Sequence, residues 1–355
     1  MLLDECSNGK DNNISLIKFI AAIFVIFNHS FPLTGSGGDY ISRWAHGQTT
    51  FGGVAVSIFF FYGGFLIMKS MENKKNAKDY FKARCNRIFP ELWMVILLSV
   101  FVLGPAVTEL SLAEYFKSGS TYLYLLNGLL IPIHSLPGVF LHNEYNSTVN
   151  GALWTLPVEF ICYILCFIFY KLKLSEKKYA IYTAPFVFGG YLVLWKFLKA
   201  IPLLHSALTP IMIFYAGMLF YIYREKIKIY WYVAIALLLI LVIGIYFRLF
   251  FVVVLFTFPY FLAWFGFGTH IKTTKIGSKV KISYGMYLVG FPVQQLLCAV
   301  IPDISQMVNF VLATIIAVGF GVVLTIADKH LSLLFRKKCD EENFLNRVYI
   351  FRKLK

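Results

Sequence analysis

The residues best suited to chemistry sit in the first hydrophobic stretch, Ser15-Leu16-Ile17-Lys18-Phe19-Ile20-Ala21-Ala22-Ile23-Phe24-Val25-Ile26-Phe27-Asn28-His29-Ser30. It is apolar almost throughout, yet it holds a lysine near one end and a histidine near the other. An ionisable group at the centre of a membrane span costs about 3 kcal/mol or more, so such groups are functional candidates by default. The eleven helical steps from Lys18 to His29 return the side chain to within about 20° of its starting direction, about 16 Å further along the axis. Both would face one side of a helix, one near each membrane surface. His29 there could serve as a general base or a nucleophile. Alternatively, Lys18 only snorkels to the interface and His29 only hydrogen-bonds a neighbouring helix.

Further on, Arg84-Cys85-Asn86-Arg87-Ile88-Phe89-Pro90 introduces another apolar run. Two arginines three apart share a helix face, and Pro90 suits the beginning of a helix. Paired guanidinium forks suit phosphate groups; lipid headgroups and topology are the other use for them. A third candidate is Glu159, in Gly151-Ala152-Leu153-Trp154-Thr155-Leu156-Pro157-Val158-Glu159. It falls about 8 Å below Trp154 by helix rise, where a carboxylate needs a cation or a water-filled cavity. It could orient a histidine, as the acid does in a Ser-His-Asp triad. His142 and Asn150 flank this stretch on its outer side and are candidates for acceptor contact, with Trp154 at the interface. Other chemistries are not spelled out. There is no G-x-x-x-x-G-K-S/T phosphate loop and no G-x-S-x-G nucleophile elbow. Position 34 is Thr34, not the acid of an H-x-x-x-x-D acyltransferase.

Such residues need helices to position them. The chain is 59% hydrophobic and 14% charged over 355 residues, too apolar for a soluble domain of that size. Runs long enough to cross a bilayer recur about ten times, near 14–31, 51–69, 88–107, 152–170, 179–198, 205–223, 228–246, 248–267, 282–301 and 305–327. The expected fold is an all-α polytopic membrane protein with both termini cytoplasmic. Charge agrees: the segments then outside hold only Arg43, Lys117, Lys196, Lys199 and Arg248, and Lys18 lies in the first span. The other 27 of the 33 basic residues fall inside, as the positive-inside rule requires.

Residues 1–330 read as one integral membrane domain and 331–355 as a short basic cytoplasmic tail. The net charge of +15 is therefore read as topology and lipid contact, with no nucleic-acid partner expected. The largest outside loop, about 108–151, is too short for an independent catalytic domain, and the Tyr122 to Ile133 patch reads as re-entrant or interfacial. The six cysteines form neither a C-x-x-C pair nor a Cys/His cluster, so no disulfide framework and no metal site is expected. No cleavable signal peptide is visible, so the first span would target the chain.

Taken together, these stretches resemble the acyltransferase-3 family of integral membrane acyltransferases, which includes bacterial O-acetyltransferases of surface polysaccharides. Lys18 and His29 match its Arg/Lys-x10-His pattern. Phe61-Tyr62-Gly63-Gly64-Phe65-Leu66 resembles F-x-S-G-F, with Gly63 where serine is usual. Arg84 to Pro90 matches R-x-x-R-I-x-P, and Asn150 to Glu159 is close to N-G-S-L-W-T-L-x-x-E, with Ala152 for serine. Ile282-Ser283-Tyr284-Gly285-Met286-Tyr287-Leu288 is similar to I-S-Y-x-x-Y-L, but the histidine that often follows is absent and Gly290 stands there.

The resemblance implies a multi-pass protein of the bacterial cytoplasmic membrane. It would transfer an acyl group, usually acetyl, from cytoplasmic acyl-CoA to a sugar hydroxyl. Acetyl-CoA would be the donor, with Lys18, Arg84 and Arg87 on its phosphates, and no metal would take part. His29 would act on the acceptor with Glu159 orienting it, directly or through an acylated histidine. The acceptor would be a cell-surface or lipid-linked glycan, such as a capsule or exopolysaccharide unit, contacted by Asn150, Trp154 and His142. Membrane lipids are the other expected partners, and self-association into a homo-oligomer is left open. A polytopic transporter or flippase for a glycan or small anion is the alternative.

Overall fold

In a bilayer, a chain segment must satisfy its backbone within itself, which for apolar runs of this length means helix. A computed structural model describes residues 1–7, 12–73, 76–269 and 282–353. Among the described residues, ten long helices follow the ten apolar runs: α1 (Ile14–Leu33), α2 (Phe51–Asn73), α3 (Ala77–Leu98), α4 (Thr155–Lys171), α5 (Lys177–Phe197), α6 (Pro202–Ile222), α7 (Trp231–Tyr246), α8 (Phe250–Ala263), α9 (Ser283–Val300) and α10 (Gln306–Lys353). Among the described residues there is no strand, only two isolated bridges.

Eight of the ten are long and apolar enough to cross a membrane, with α3 running on to Val107 and α8 to Gly268 through π-helical turns. The exceptions are α7, with 16 residues, and α9, which carries Gln294 and Gln295. Those amides belong inside the protein. From Gly285 to Pro292, and again at Gln294 and Gln295, α9 is buried without a break. Gln294 donates to the Ile26 carbonyl of α1 at 2.9 Å and to Asn309 of α10 at 3.0 Å. Gln295 donates to Tyr145 and Thr148 carbonyls of the outer loop, both at 2.7 Å.

α3 departs from expectation. It starts at Ala77, where the Asn76 side chain caps the Lys78 N–H, so Arg84, Arg87 and Pro90 all lie inside the helix. Its first turns are too polar to be seen as part of a span. Pro90 removes one backbone bond, which an enclosed membrane helix tolerates when its neighbours re-satisfy the freed group.

The closest helix contact is α2 on α6. A Cβ at Gly64 would run into the Phe214 carbonyl, and one at Gly217 into the Phe61 carbonyl. In lipid, such small residues let backbones approach and supply packing that the hydrophobic effect cannot.

Segments assigned to one side of the membrane meet each other. The short helix Leu3–Ser7 is tied to the α6–α7 loop: Leu3 N–H donates to Ile227 at 2.9 Å, and Arg224 pairs with Asp4 at 2.8 Å. On the other face, Gln48 of the α1–α2 loop donates to Ile245 at 2.8 Å and accepts from Phe250 N–H at 3.3 Å. The Tyr122–Ile133 patch contains a 3-10 helix, Tyr124–Leu129, folded around Asn127, which bonds the Ile133 backbone in both directions. Lys10, Lys74, Lys75, Lys272, Lys275, Lys279, Lys281 and Lys355 lie outside the described residues. α10 carries the chain from the last span into the basic tail as one helix.

Candidate active site

α1 is anchored before it reaches the site. Asn13 ahead of it donates to Thr269 at 2.7 and 2.8 Å and to the Phe265 carbonyl at 3.3 Å. From this fixed start, Lys18 and His29 line two neighbouring spaces.

The inner space is a narrow chamber of about 60 Å³, lined by Lys18 of α1, Arg87 of α3, Glu159 of α4 and Tyr284 of α9. Arg87 lies 3.7 Å from Glu159, which also accepts a hydrogen bond from Tyr163 one turn along α4. Tyr284 donates to the Ile88 carbonyl at 2.9 Å, joining α9 to α3. Two basic side chains and one carboxylate thus line the chamber. Arg84 lies one turn from Arg87 but does not line the chamber. Its guanidinium sits 5.8 Å from the ring centres of both Tyr80 and Tyr163, Nη2 meets Ser70 at 3.4 Å, and Nε is buried without a partner.

The outer space is larger, about 430 Å³, and holds His29 with Asn28, Gln48, Thr49, Thr50, Ser57, Trp154, Trp195, His205, Ser206 and Thr209 among its walls. Val56, Thr155 and Tyr287 line both spaces. These shared residues form the partition, and it is polar. The Tyr287 hydroxyl lies 2.5 Å from both the Ala152 carbonyl and the Thr155 hydroxyl, tying the three together. Tyr284 and Tyr287 stand three apart on α9, which turns both toward this column.

The imidazole of His29 packs edge-on against Phe291 of α9, with ring centres 5.1 Å apart. Its Nδ1 is buried with no hydrogen-bond partner, which leaves Nε2 as the nitrogen available to a ligand in the cavity. The expected Glu159–His29 hydrogen bond is not made. Glu159 is held at the level of Lys18 by Arg87 and Tyr163, on the far side of the partition.

The acceptor candidates separate in the same way. Trp154 lines the outer cavity. Asn150 does not: it is fully buried, caps the 3-10 turn Gly151–Trp154 by accepting from Ala152 N–H at 3.1 Å, and donates to the Leu288 carbonyl at 2.8 Å. Its amide is used to lock the start of α4 onto α9. His142 is 86% exposed and faces Glu109 at 3.2 Å, away from the cavity walls. Sequence reasoning missed Thr155 as a wall, although it sits within the motif around Trp154. It also missed His205, because nothing local marks it.

Comparison with known proteins bears on this arrangement. A family model described as an acyltransferase domain matches residues 11–327. An O-acetyl transferase of Shigella phage Sf6 is 32% identical over 158 residues, 44% of this chain and 45% of that protein. Nodulation protein 10 of Rhizobium leguminosarum bv. viciae is 28% identical over 165 residues, 45% of this chain and 44% of that one. The chain thus spans somewhat under half the length of these curated relatives. No solved structure matches.

Proposed function

The chain belongs to the acyltransferase-3 family, and from that premise we propose that it is a membrane O-acyltransferase. It moves an acetyl group from cytoplasmic acetyl-CoA to a hydroxyl of a cell-surface or lipid-linked polysaccharide on the outer side. In this reading ten helices cross the bacterial cytoplasmic membrane, with both ends in the cytoplasm.

One observation carries the proposal: an inner chamber lined by Lys18 and Arg87 and a histidine-bearing outer cavity share the walls Val56, Thr155 and Tyr287. Lys18 and Arg87 hold the donor's phosphates, where charge-assisted bonds are strongest. Arg84 supports them from the next turn, and Glu159 keeps Arg87 aimed into the chamber. A thin acyl-bearing arm passes the Thr155–Tyr287 partition toward His29.

His29 then takes the proton of the acceptor hydroxyl at Nε2. The freed oxygen attacks the thioester carbonyl, the carbon–sulfur bond breaks, and His29 returns the proton to the departing thiolate. No carboxylate stands behind Nδ1 to stabilise a lasting imidazolium. Taking and giving the proton within one transfer fits that environment, so direct transfer is the preferred route.

The test is purified protein in nanodiscs supplied with acetyl-CoA, alongside mass spectrometry of surface glycans from cells with and without it. Loss of thioester matched by an acetylated glycan supports the proposal. Intact acetyl-CoA together with translocated glycan would instead identify a transporter.

A further inference from the structure

A cavity that presents one hydroxyl to a base must also grip the rest of the sugar, which takes hydrogen-bonding groups on more than one wall. His205 supplies such a group away from α1. It stands in the first turn of α6 and lines the same cavity as His29. Its ring lies 4.1 Å from that of Trp195, and Trp195 in turn stacks on Phe251 at 5.2 Å with the planes 10° apart. The imidazole is therefore held in place. Nε2 is buried with no hydrogen-bond partner, which leaves Nδ1 to meet a ligand.

Filling space does not account for this residue. A phenylalanine would pack on Trp195 without burying an unpaired nitrogen, and an unpaired buried polar atom is costly. Ser206 and Thr209 of α6 stand beside it in the wall. Among the described residues, no Asp, Glu, Lys or Arg lines the cavity. A uronic acid or a phosphorylated sugar would enter without a counter-charge, at a heavy desolvation cost.

We propose that His205 is a second acceptor-binding histidine, one that hydrogen-bonds an uncharged sugar unit and positions it for His29. This rests on the acyl-transfer reading above and adds the chemical class of the acceptor and the residue that holds it. A sugar hydroxyl both donates and accepts, so either tautomer of His205 can serve.

The experiment uses full-length protein in nanodiscs, acetyl-CoA, and p-nitrophenyl glycosides of glucose, galactose, rhamnose and glucuronic acid as acceptors. His205→Phe keeps a ring on Trp195 and removes both nitrogens; His205→Gln keeps a group that donates and accepts. Unchanged thermal stabilisation by acetyl-CoA shows that each variant is folded. The expected result is that His205→Phe raises KM for neutral glycosides about three- to tenfold, the usual worth of one hydrogen bond. KM for acetyl-CoA stays constant, His205→Gln recovers most of the loss, and the glucuronide is the poorest substrate.

An unchanged acceptor KM in His205→Phe, an equal rise for acetyl-CoA, or a His205→Gln no better than His205→Phe overturns the assignment. A wild-type preference for the glucuronide overturns the uncharged acceptor. A wild-type protein that acetylates no glycoside and leaves acetyl-CoA intact removes the acyl-transfer reading itself, and this inference with it.

Discussion

The imidazole of His29 and the carboxylate of Glu159 lie on opposite sides of a partition, and their substitutions should fail differently. His29→Ala is expected to lower transfer by about 100- to 10,000-fold, the usual range for a lost general base, while leaving acetyl-CoA binding and membrane insertion intact. Radiolabelled acetyl transfer and a donor-binding assay separate the two quantities. Glu159→Gln releases Arg87 from its 3.7 Å partner. It should raise KM for acetyl-CoA while the pH profile of kcat stays in place. A shifted kcat profile would return Glu159 to the role of orienting His29. At this scale much was legible. Lys18 and His29 came from eleven helical steps, and Arg87 from its spacing to Arg84. The partner of Glu159 was legible in principle, since Tyr163 is four residues on along the same helix face. Asn150 ahead of Gly151 is likewise a capping signal, and capping is what its buried side chain does here. His205 was not legible, because only the packing of α6 against Trp195 and the α1 side of the cavity gives it neighbours.

Among the elements, the α2–α6 contact makes a sharp prediction about two adjacent glycines. A Cβ on Gly63 would meet the Phe214 ring at an ordinary 3.5 Å, so Gly63→Ser, the family's usual residue, should fold with near-wild-type thermal stability. Gly64→Val would push a branched side chain into the Phe214 backbone. That should cost at least the about 1–3 kcal/mol of ordinary overpacking and abolish a monodisperse peak in detergent chromatography. Equal behaviour of the two variants would mean that α2 and α6 do not meet this closely. The sequence marked the pair of glycines, but not which of them touches backbone, because that depends on helix rotation. The start of α3 was hidden for a different reason. Hydropathy reports where a helix is apolar, and the first turns after the Asn76 cap are polar.

For the whole molecule, the sidedness inferred from basic residues can be tested with a membrane-impermeant thiol reagent on single-cysteine variants. His142→Cys should label in intact cells. Lys226→Cys, in the loop tied to Leu3–Ser7, should label only after permeabilisation. The reverse result would invert the arrangement and put the Lys18–Arg87 chamber on the wrong side for a cytoplasmic donor. The helices themselves were legible because bilayer thickness dictates their length. α9 was legible too, at 282–301, but the partners of its glutamines on α1, α10 and the outer loop could not be read from neighbours in sequence.

Those partners also impose an order on biosynthesis. His29 belongs to α1, which leaves the ribosome long before α9, but the ring it packs against, Phe291, and the amide that grips its helix at Ile26, Gln294, belong to α9. Until α9 emerges, α1 must wait in the lipid with one flank uncovered. A nascent chain arrested before residue 282 should therefore insert without acquiring activity and be degraded faster than the finished protein, which pulse-chase of staged truncations would reveal.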